Sequence, residues 1–539
     1  MPPTPMSDAA QGTSDLTGAG ALTRFVLRRD RVRILVWVVA IGVLVVSTAA
    51  SVKGLYPTQA DLDEAAAASH DNAAALIFNG PDQALDTMGG QIAFQVASFG
   101  LIMVGLMNLF MVGRSTRAEE ESGRMEMLRA LPVGRHAPAA AALVVATLMN
   151  VTVGALVALG LLSQDLPTQG SIVMGVGFCA MGLVFSGITL VAAQVTENTR
   201  VVYGVTGAVL GAAFVLRAAG DVGDGTLSWL SPIGWQQKMR PYAGESWWPL
   251  LLSLAATAGL VAVSVVLAGR RDVGSGLVAP RPGPPTASGW LGRPVGLALR
   301  IQRGSLIAWG AGLLLTGVSY GSVANDIEEF VNDNDTVGDI IARSDGGSLV
   351  DSFLATSLLM IALIGSGYTI SSVLRLRSEE TAERAEPVLV TRVARSRWVA
   401  SHLAMALAGS AIVMVLAGFG LGLTYGIASH DLGQAVRVTA AALAYVPAMW
   451  VLAGVALGLF GLFPRAVSAA WGVLAACFVV GLFGDLFNLP TWVEDLSPFG
   501  HIPEVPGGDF TLVPVVVVLA VAAALLATGF AGFQRRDVG

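Results

Sequence analysis

Apolar residues in this chain fall into long, almost unbroken runs separated by short polar islands, with neither the alternation of a half-buried strand nor the single stripe of a soluble helix. A helix needs about 20 apolar residues to cross the hydrocarbon layer. Twelve runs approach that length: Ile34 to Ser51, Gln91 to Val112, Ala137 to Leu162, Ser171 to Val195, Val201 to Leu216, Trp247 to Ala268, Leu306 to Val323, Phe353 to Leu374, Val399 to Ile427, Val436 to Phe463, Ala466 to Phe483 and Phe510 to Phe533. Six fall in each half. The pattern predicts an all-α integral membrane protein, its twelve transmembrane helices arranged as two six-helix repeats. An even number per repeat makes the repeats parallel, because inverted repeats need an odd number. The fifth run is short, so Asn198 and Arg217 are expected to extend it, with Arg217 snorkelling to the interface.

The polar islands are themselves repeated. Arg117 to Arg135 reads RAEEESGRMEMLRALPVGR, and a shift of 260 positions gives RSEETAERAEPVLVTRVAR from Arg377 to Arg395. Arg117/Arg377, Glu119/Glu379, Glu120/Glu380, Arg124/Arg384, Glu126/Glu386, Val133/Val393 and Arg135/Arg395 are identical. Arg28, Arg31 and Trp37 before and in the first run are matched by Arg300, Arg303 and Trp309. Leu-Ser-Pro-x-Gly recurs at Leu230, Ser231, Pro232 and Gly234 and at Leu496, Ser497, Pro498 and Gly500. Arg-Arg-Asp-Val-Gly closes each half, from Arg270 and from Arg535. Four domains follow: a disordered tail over 1–20, a first half over 21–271, a Pro/Gly-rich linker over 272–296 and a second half over 297–539.

Composition agrees with the pattern. The 539 residues are 54% hydrophobic and 13% charged, where a soluble protein carries about 25% charged residues. The net charge of -6 is better read by location, because topology follows Lys and Arg in short loops. With the N-terminus inside, all basic residues but Lys53, Arg217, Lys238, Arg240, Arg343 and Arg437 lie on the cytoplasmic side, so both termini are expected there. The acidic residues concentrate outside, from Asp61 to Asp86 and from Asp326 to Asp351. Arginine makes up every basic position except Lys53 and Lys238, which fits a GC-rich bacterial genome and hence a bacterial cell membrane. No basic patch suggests nucleic acid. Cys179 and Cys477 each sit inside an apolar run and read as small buried hydrophobes.

In the repeated island, Glu120 and Arg124 are four residues apart in the favourable order on a helix, as are Glu380 and Arg384. A solvated connector is the plainer account of one copy; repetition at the same place in both halves favours a docking helix. The whole arrangement resembles ABC type-2 transporter permeases, most of all the double-length form of actinobacterial tetronasin-type antibiotic exporters. The resemblance covers essentially the entire chain. It implies a coupling helix after the second transmembrane helix of each half, resting on an ATPase subunit, with Arg117, Glu119, Glu120, Arg124, Glu126 and Arg135 and Arg377, Glu379, Glu380, Arg384, Glu386 and Arg395 as coupling residues. It also implies short half-inserted extracellular segments at the two Leu-Ser-Pro-x-Gly motifs. Arg392 stands where the first copy has Pro132, and Pro387 where it has Met127, so the two docking surfaces need not be equivalent. An interfacial aromatic belt of Trp229, Trp235, Trp247, Trp248 and Trp492 is the plainer account of the outer ends.

ATP binding needs a Gly-rich loop ending in Gly-Lys-Ser/Thr, and neither Lys53 nor Lys238 completes one. Two copies of a separate ABC ATPase subunit, using ATP and magnesium, are therefore expected as partners, beside the lipid bilayer and a hydrophobic small-molecule substrate. A proton-coupled transporter is the rival class. It would want carboxylates deep in the bilayer, yet Asp165, Asp351 and Asp485 lie at run ends and His402 near the start of the ninth run. Gln91, Gln95, Asn108, Gln194 and Tyr203, with Asn150, could line a substrate path or bond helix to helix. No motif of a metalloprotease, a serine hydrolase or an intramembrane aspartyl protease occurs.

Overall fold

The computed structural model describes residues 15–70, 73–123, 133–272, 274–278, 283, 285–333, 349–483, 490–508 and 510–536, and every regular element among them is helical. Two compact units divide the chain between Pro282 and Gly283.

In the first unit, α1 (Ala19–Leu55), α2 (Gln59–Ser69), α3 (Ala73–Phe78), α4 (Met88–Ser115), α5 (Arg117–Glu121), α6 (Ala137–Leu162), α7 (Thr168–Val195), α8 (Thr199–Val222), a 3-10 turn (Leu227–Leu230), α9 (Pro232–Gln237) and α10 (Trp248–Gly269) follow in order. α1 overruns its apolar segment because the arginine-rich approach from residue 19 is helical as well. α8 also runs longer than its apolar run, capped by Asn198, whose side chain accepts from the Arg200 amide at 2.9 Å. Arg217 does belong to α8, but it does not snorkel. It is fully buried, donating to the carbonyls of Leu76 at 2.9 Å and Ile77 at 2.7 Å. Those carbonyls end the short α3 and give the guanidinium a reason to stay inside.

The second unit comprises α11 (Pro294–Asp333), α12 (Leu349–Thr381), α13 (Ala385–Leu389), α14 (Arg395–Ala428), α15 (Gly433–Ala444), α16 (Val446–Leu462), α17 (Ala469–Phe483), α18 (Thr491–Glu494) and α19 (Leu512–Arg535). The tenth apolar run, expected as one helix, is split at Tyr445 into α15 and α16. Pro447 follows the break and cannot donate to the preceding turn.

Ten helices are long and apolar enough to cross a membrane among the described residues, and the chain is a multi-pass membrane protein. Each unit packs in the same order: its first long helix against its third (α1 on α6, α11 on α14), its second against its fourth (α4 on α7, α12 on α16) and its fourth against its last (α7 on α10, α16 on α19). Small residues set the closest crossings, since van der Waals packing holds helices together where no hydrophobic drive separates them from lipid. A Cβ on Gly175 would stand 2.3 Å from the Gly154 carbonyl oxygen, and one on Gly461 would stand 2.2 Å from that of Gly529.

Candidate functional site

α4 ends at Ser115, and the charged island begins two residues later, at Arg117. Arg117 is 1% exposed. Its guanidinium donates to Glu120 Oε2 at 2.6 Å and to the carbonyls of Gly274 at 2.7 Å and Ser275 at 3.1 Å. Arg271, at the end of α10, grips the same carboxylate with both terminal nitrogens, at 2.9 and 2.8 Å, and donates from Nε to Gln194 Oε1 at 2.7 Å. Arg135 adds bonds to the carbonyls of Ala268 and Arg271 at 2.8 and 3.0 Å. Glu120 is thus the centre of a clasp that ties the island to the end of the last helix of its unit. Bidentate pairing of this kind is the strong, directional form of a guanidinium contact.

A second set of charges lies beside the clasp. Glu119 accepts from Arg29 at 2.6 Å. Asp30, with a fully buried side chain, accepts from Arg29 and Arg33 at 2.7 Å and from Arg114 at 3.2 Å. Asp30 carries no motif, and only its place among four neighbouring arginines could have drawn attention to it.

The second unit rebuilds the clasp with the equivalent residues. Arg377 donates to Glu380 Oε2 at 3.0 Å, Arg536 from the closing motif pairs with the other oxygen, and Arg395 reaches the Arg536 carbonyl at 3.4 Å. Arg536 also lies over the rings of Phe460 and Phe533, at 4.9 and 5.5 Å. Arg384 does not pair with Glu380 four residues earlier. It pairs with Glu379 at 2.9 Å, as does Arg375. α12 ends one turn too soon for the helical spacing: Glu383 adopts φ 55 and donates to the Glu380 carbonyl, while the Arg384 amide returns to the Glu379 carbonyl at 3.0 Å. This capping turn folds Arg384 back onto Glu379, and the bond raises the Arg384 pKa further above its ordinary value. Gly123, with φ 73, occupies the matching turn of the first island. Glu386 and Pro387 lie in α13, Pro387 within its first turn, where a missing N–H costs nothing. Arg124, Glu126 and Pro132 lie outside the described residues, as do Asp485 and Arg343.

Gln302 stands where the first unit has Asp30. It contacts His402 Nδ1 at 3.0 Å and accepts from Ser372. A neutral buried triad therefore replaces the four-charge cluster.

The outer motifs differ more. Ser231 caps α9, accepting from the amides of Ile233 and Gly234 and donating to the Ala213 carbonyl at 2.6 Å. A Cβ on Gly234 would lie 2.0 Å from the Ser228 carbonyl oxygen. Trp235 donates to the Trp229 carbonyl at 2.6 Å, and Trp229 stacks on Trp248 at 4.9 Å. In the second unit Ser497 caps no helix, and a turn follows it. Pro498 sits in a turn, Gly500 has no heavy atom nearer than 3.7 Å to its would-be Cβ, and Leu230 and Leu496 are both exposed.

Of the polar residues considered for a path, Asn108 is locked in a reciprocal pair with Asn150, at 2.8 and 3.0 Å, and also accepts from Ser186. Gln194 belongs to the clasp. Tyr203 packs edge-on to Phe110 at 5.4 Å, Gln91 is buried and Gln95 half-buried. Among the described residues, no group of His, Cys, Asp or Glu could hold a metal ion.

Similar sequences exist along the whole chain. The family model described as "Multidrug efflux system permease Rv1217c, C-terminal domain" matches residues 21–267 and 291–534. The protein named "Multidrug efflux system permease protein Rv1217c" from Mycobacterium tuberculosis (strain ATCC 25618 / H37Rv) is 44% identical over 528 residues, 97% of this chain and 96% of that protein.

Proposed function

The chain belongs to the family of the multidrug efflux system permease Rv1217c, and from that premise we propose that it is the membrane-spanning permease of an ATP-driven exporter. It is of the ABC type-2 class, in the double-length form of the tetronasin-type exporters. Twelve transmembrane helices form two parallel six-helix repeats, with both termini in the cytoplasm of a bacterial cell. The recurring packing order and the family model's coverage of both halves support the duplication. In this reading the helices Pro294–Asp333 and Ala469–Phe483 also cross the membrane, beside the ten qualifying spans. The cargo is a hydrophobic or amphipathic drug-like compound, in keeping with the relative's printed name and with apolar helices that carry little charge at mid-depth.

The observation that carries the reading is the duplicated clasp. In each unit a carboxylate at or just past the end of the second long helix holds an arginine just past the end of the last helix. Two ABC ATPase subunits, binding ATP and magnesium, dock against these two islands. Their closure on ATP moves each island, and the clasp obliges the end of the last helix to move with it. ATP biases the two access states only through such a difference in binding energy between them. The Leu-Ser-Pro-x-Gly segments form the outer gate, and Gln91, Gln95 and Tyr203 contribute to the path.

Transport by the reconstituted chain decides the matter. Alone, it hydrolyses no ATP; with its ATPase and ATP it moves drug across vesicle membranes, and a protonophore leaves that transport standing. Transport abolished by the protonophore with ATP held constant would instead establish a proton-coupled carrier.

A further inference from the structure

The two clasps share their three charged residues but not their surroundings. In the first unit, residues 274–278 lie across the arginines. Gly274 and Ser275 supply carbonyls, and Leu277 and Val278 donate to the Gln194 and Val195 carbonyls at 3.2 and 3.0 Å. Two carboxylates complete the neutralisation. Glu121 accepts from the Thr199 amide at 2.9 Å, Glu197 accepts from the Gly276 amide at 3.0 Å, and both act on the Arg117 charge.

In the second unit Thr381 stands at the position of Glu121, and the stretch just past the fourth long helix, which carries Glu197 in the first unit, carries Arg465. Arg377, Glu380, Arg465 and Arg536 line an open cleft of about 560 Å3, with Leu462, Phe463, Pro464 and Ala466. Three guanidiniums face one carboxylate, leaving an excess of two positive charges among the lining residues. Beside them Leu462 and Phe463 are 54% and 63% exposed. Cationic and apolar surface meet at the end of a membrane-crossing helix, where a headgroup and acyl chains also meet.

We propose that this cleft binds an anionic phospholipid, its phosphate between Arg377, Arg465 and Arg536 and its acyl chains along Leu462 and Phe463. Two neighbouring phosphate oxygens suit planar guanidinium donors better than an ammonium, and basic pockets between transmembrane helices are known headgroup sites. The first unit cannot offer the same site, because its own chain and Glu197 occupy the place. Which leaflet the cleft faces follows from the orientation proposed above, whereas the binding does not depend on it. Failure of ATP-driven export would leave the site standing.

The test uses the full chain in detergent, titrated with phosphatidylglycerol, with phosphatidylcholine of the same acyl chains and with inorganic phosphate, bound lipid being counted by native mass spectrometry. Phosphatidylglycerol should be retained at least about fivefold better than phosphatidylcholine. Arg465→Gln should remove about fivefold of that retention, the worth of one basic residue near an anionic headgroup, and Arg465→Glu more. Among the described residues Arg465 makes no ion pair or side-chain hydrogen bond, so neither variant should disturb folding. Arg200→Gln, in the first turn of α8 of the first unit, should leave retention unchanged. Equal retention of the two lipids, or Arg465→Gln without effect, would overturn the proposal. Competition by inorganic phosphate as effective as by the lipid would overturn it too, by making the site one for a free anion.

Discussion

The two clasps are built from the same three charged residues, yet the first is closed and the second open. Arg117 is 1% exposed and bonded to a carboxylate and two carbonyls; Arg377 has a 36% exposed side chain and one carboxylate. The surrounding differences run the same way. Asp30 gathers three arginines where Gln302 makes a neutral triad, and Ser231 caps a helix where Ser497 caps none. Duplication has kept the link between the island and the last helix, while the contacts that seal that link have diverged. The shared part points to the common task, and the unshared part to separate duties.

The largest expected contrast concerns the buried arginine. Arg117→Ala leaves the Gly274 carbonyl without its side-chain donor and takes one of two guanidiniums from Glu120 and from the Ser275 carbonyl, at a buried site. It should destabilise the first unit by about 3 kcal/mol or more, read from denaturant unfolding in detergent. Arg377→Ala, at a half-open site, should cost no more than about 1 kcal/mol. Equal losses would erase the distinction between closed and open clasps.

The outer motifs should part next. Gly234→Ala drives a Cβ against the Ser228 carbonyl oxygen and should cost about 1–3 kcal/mol. Gly500→Ala, with room around it, should stay within about 0.5 kcal/mol of the parent. Thermal unfolding of the two variants side by side checks this, and comparable shifts would make the two segments alike after all.

The smallest contrast lies in the capping turns and has opposite signs. Gly123→Ala places a Cβ at φ 73 and Glu383→Gly removes one at φ 55. The first should destabilise and the second stabilise, each by about 1 kcal/mol. Melting temperatures moving in the same direction would contradict the equivalence of the turns.

The apolar runs gave the positions of the long helices directly, because membrane-crossing segments must be continuous and nearly uncharged. What they could not convey is where a helix persists beyond its apolar stretch, as α1 does through Arg24 to Arg33. Nor could they foresee a break inside one, as at Tyr445. The islands were visible by repetition, and so was the closing Arg-Arg-Asp-Val-Gly, but their union was not. Glu120 and Arg271 are 151 residues apart, and only the packing of α10 alongside α7, with both helices ending beside the island, brings them together. Arg384 was misread for a local reason, since a turn with positive φ ends the helical spacing on which the Glu380 pairing depended. Arg217 was misread for a distant one, because the carbonyls that hold it inside belong to a segment 140 residues earlier.

The most direct test of the duplicated clasp exchanges its charges and reads drug efflux from cells that also express the ATPase. Glu120→Arg alone and Arg271→Glu alone should each lower efflux by about tenfold, the ratio that a coupling of ~1.4 kcal/mol supports. The two together should restore most of it, and Glu380→Arg with Arg536→Glu should behave likewise in the second unit. A doubly exchanged protein as inactive as either single variant, or single variants that export as the parent does, would contradict the account.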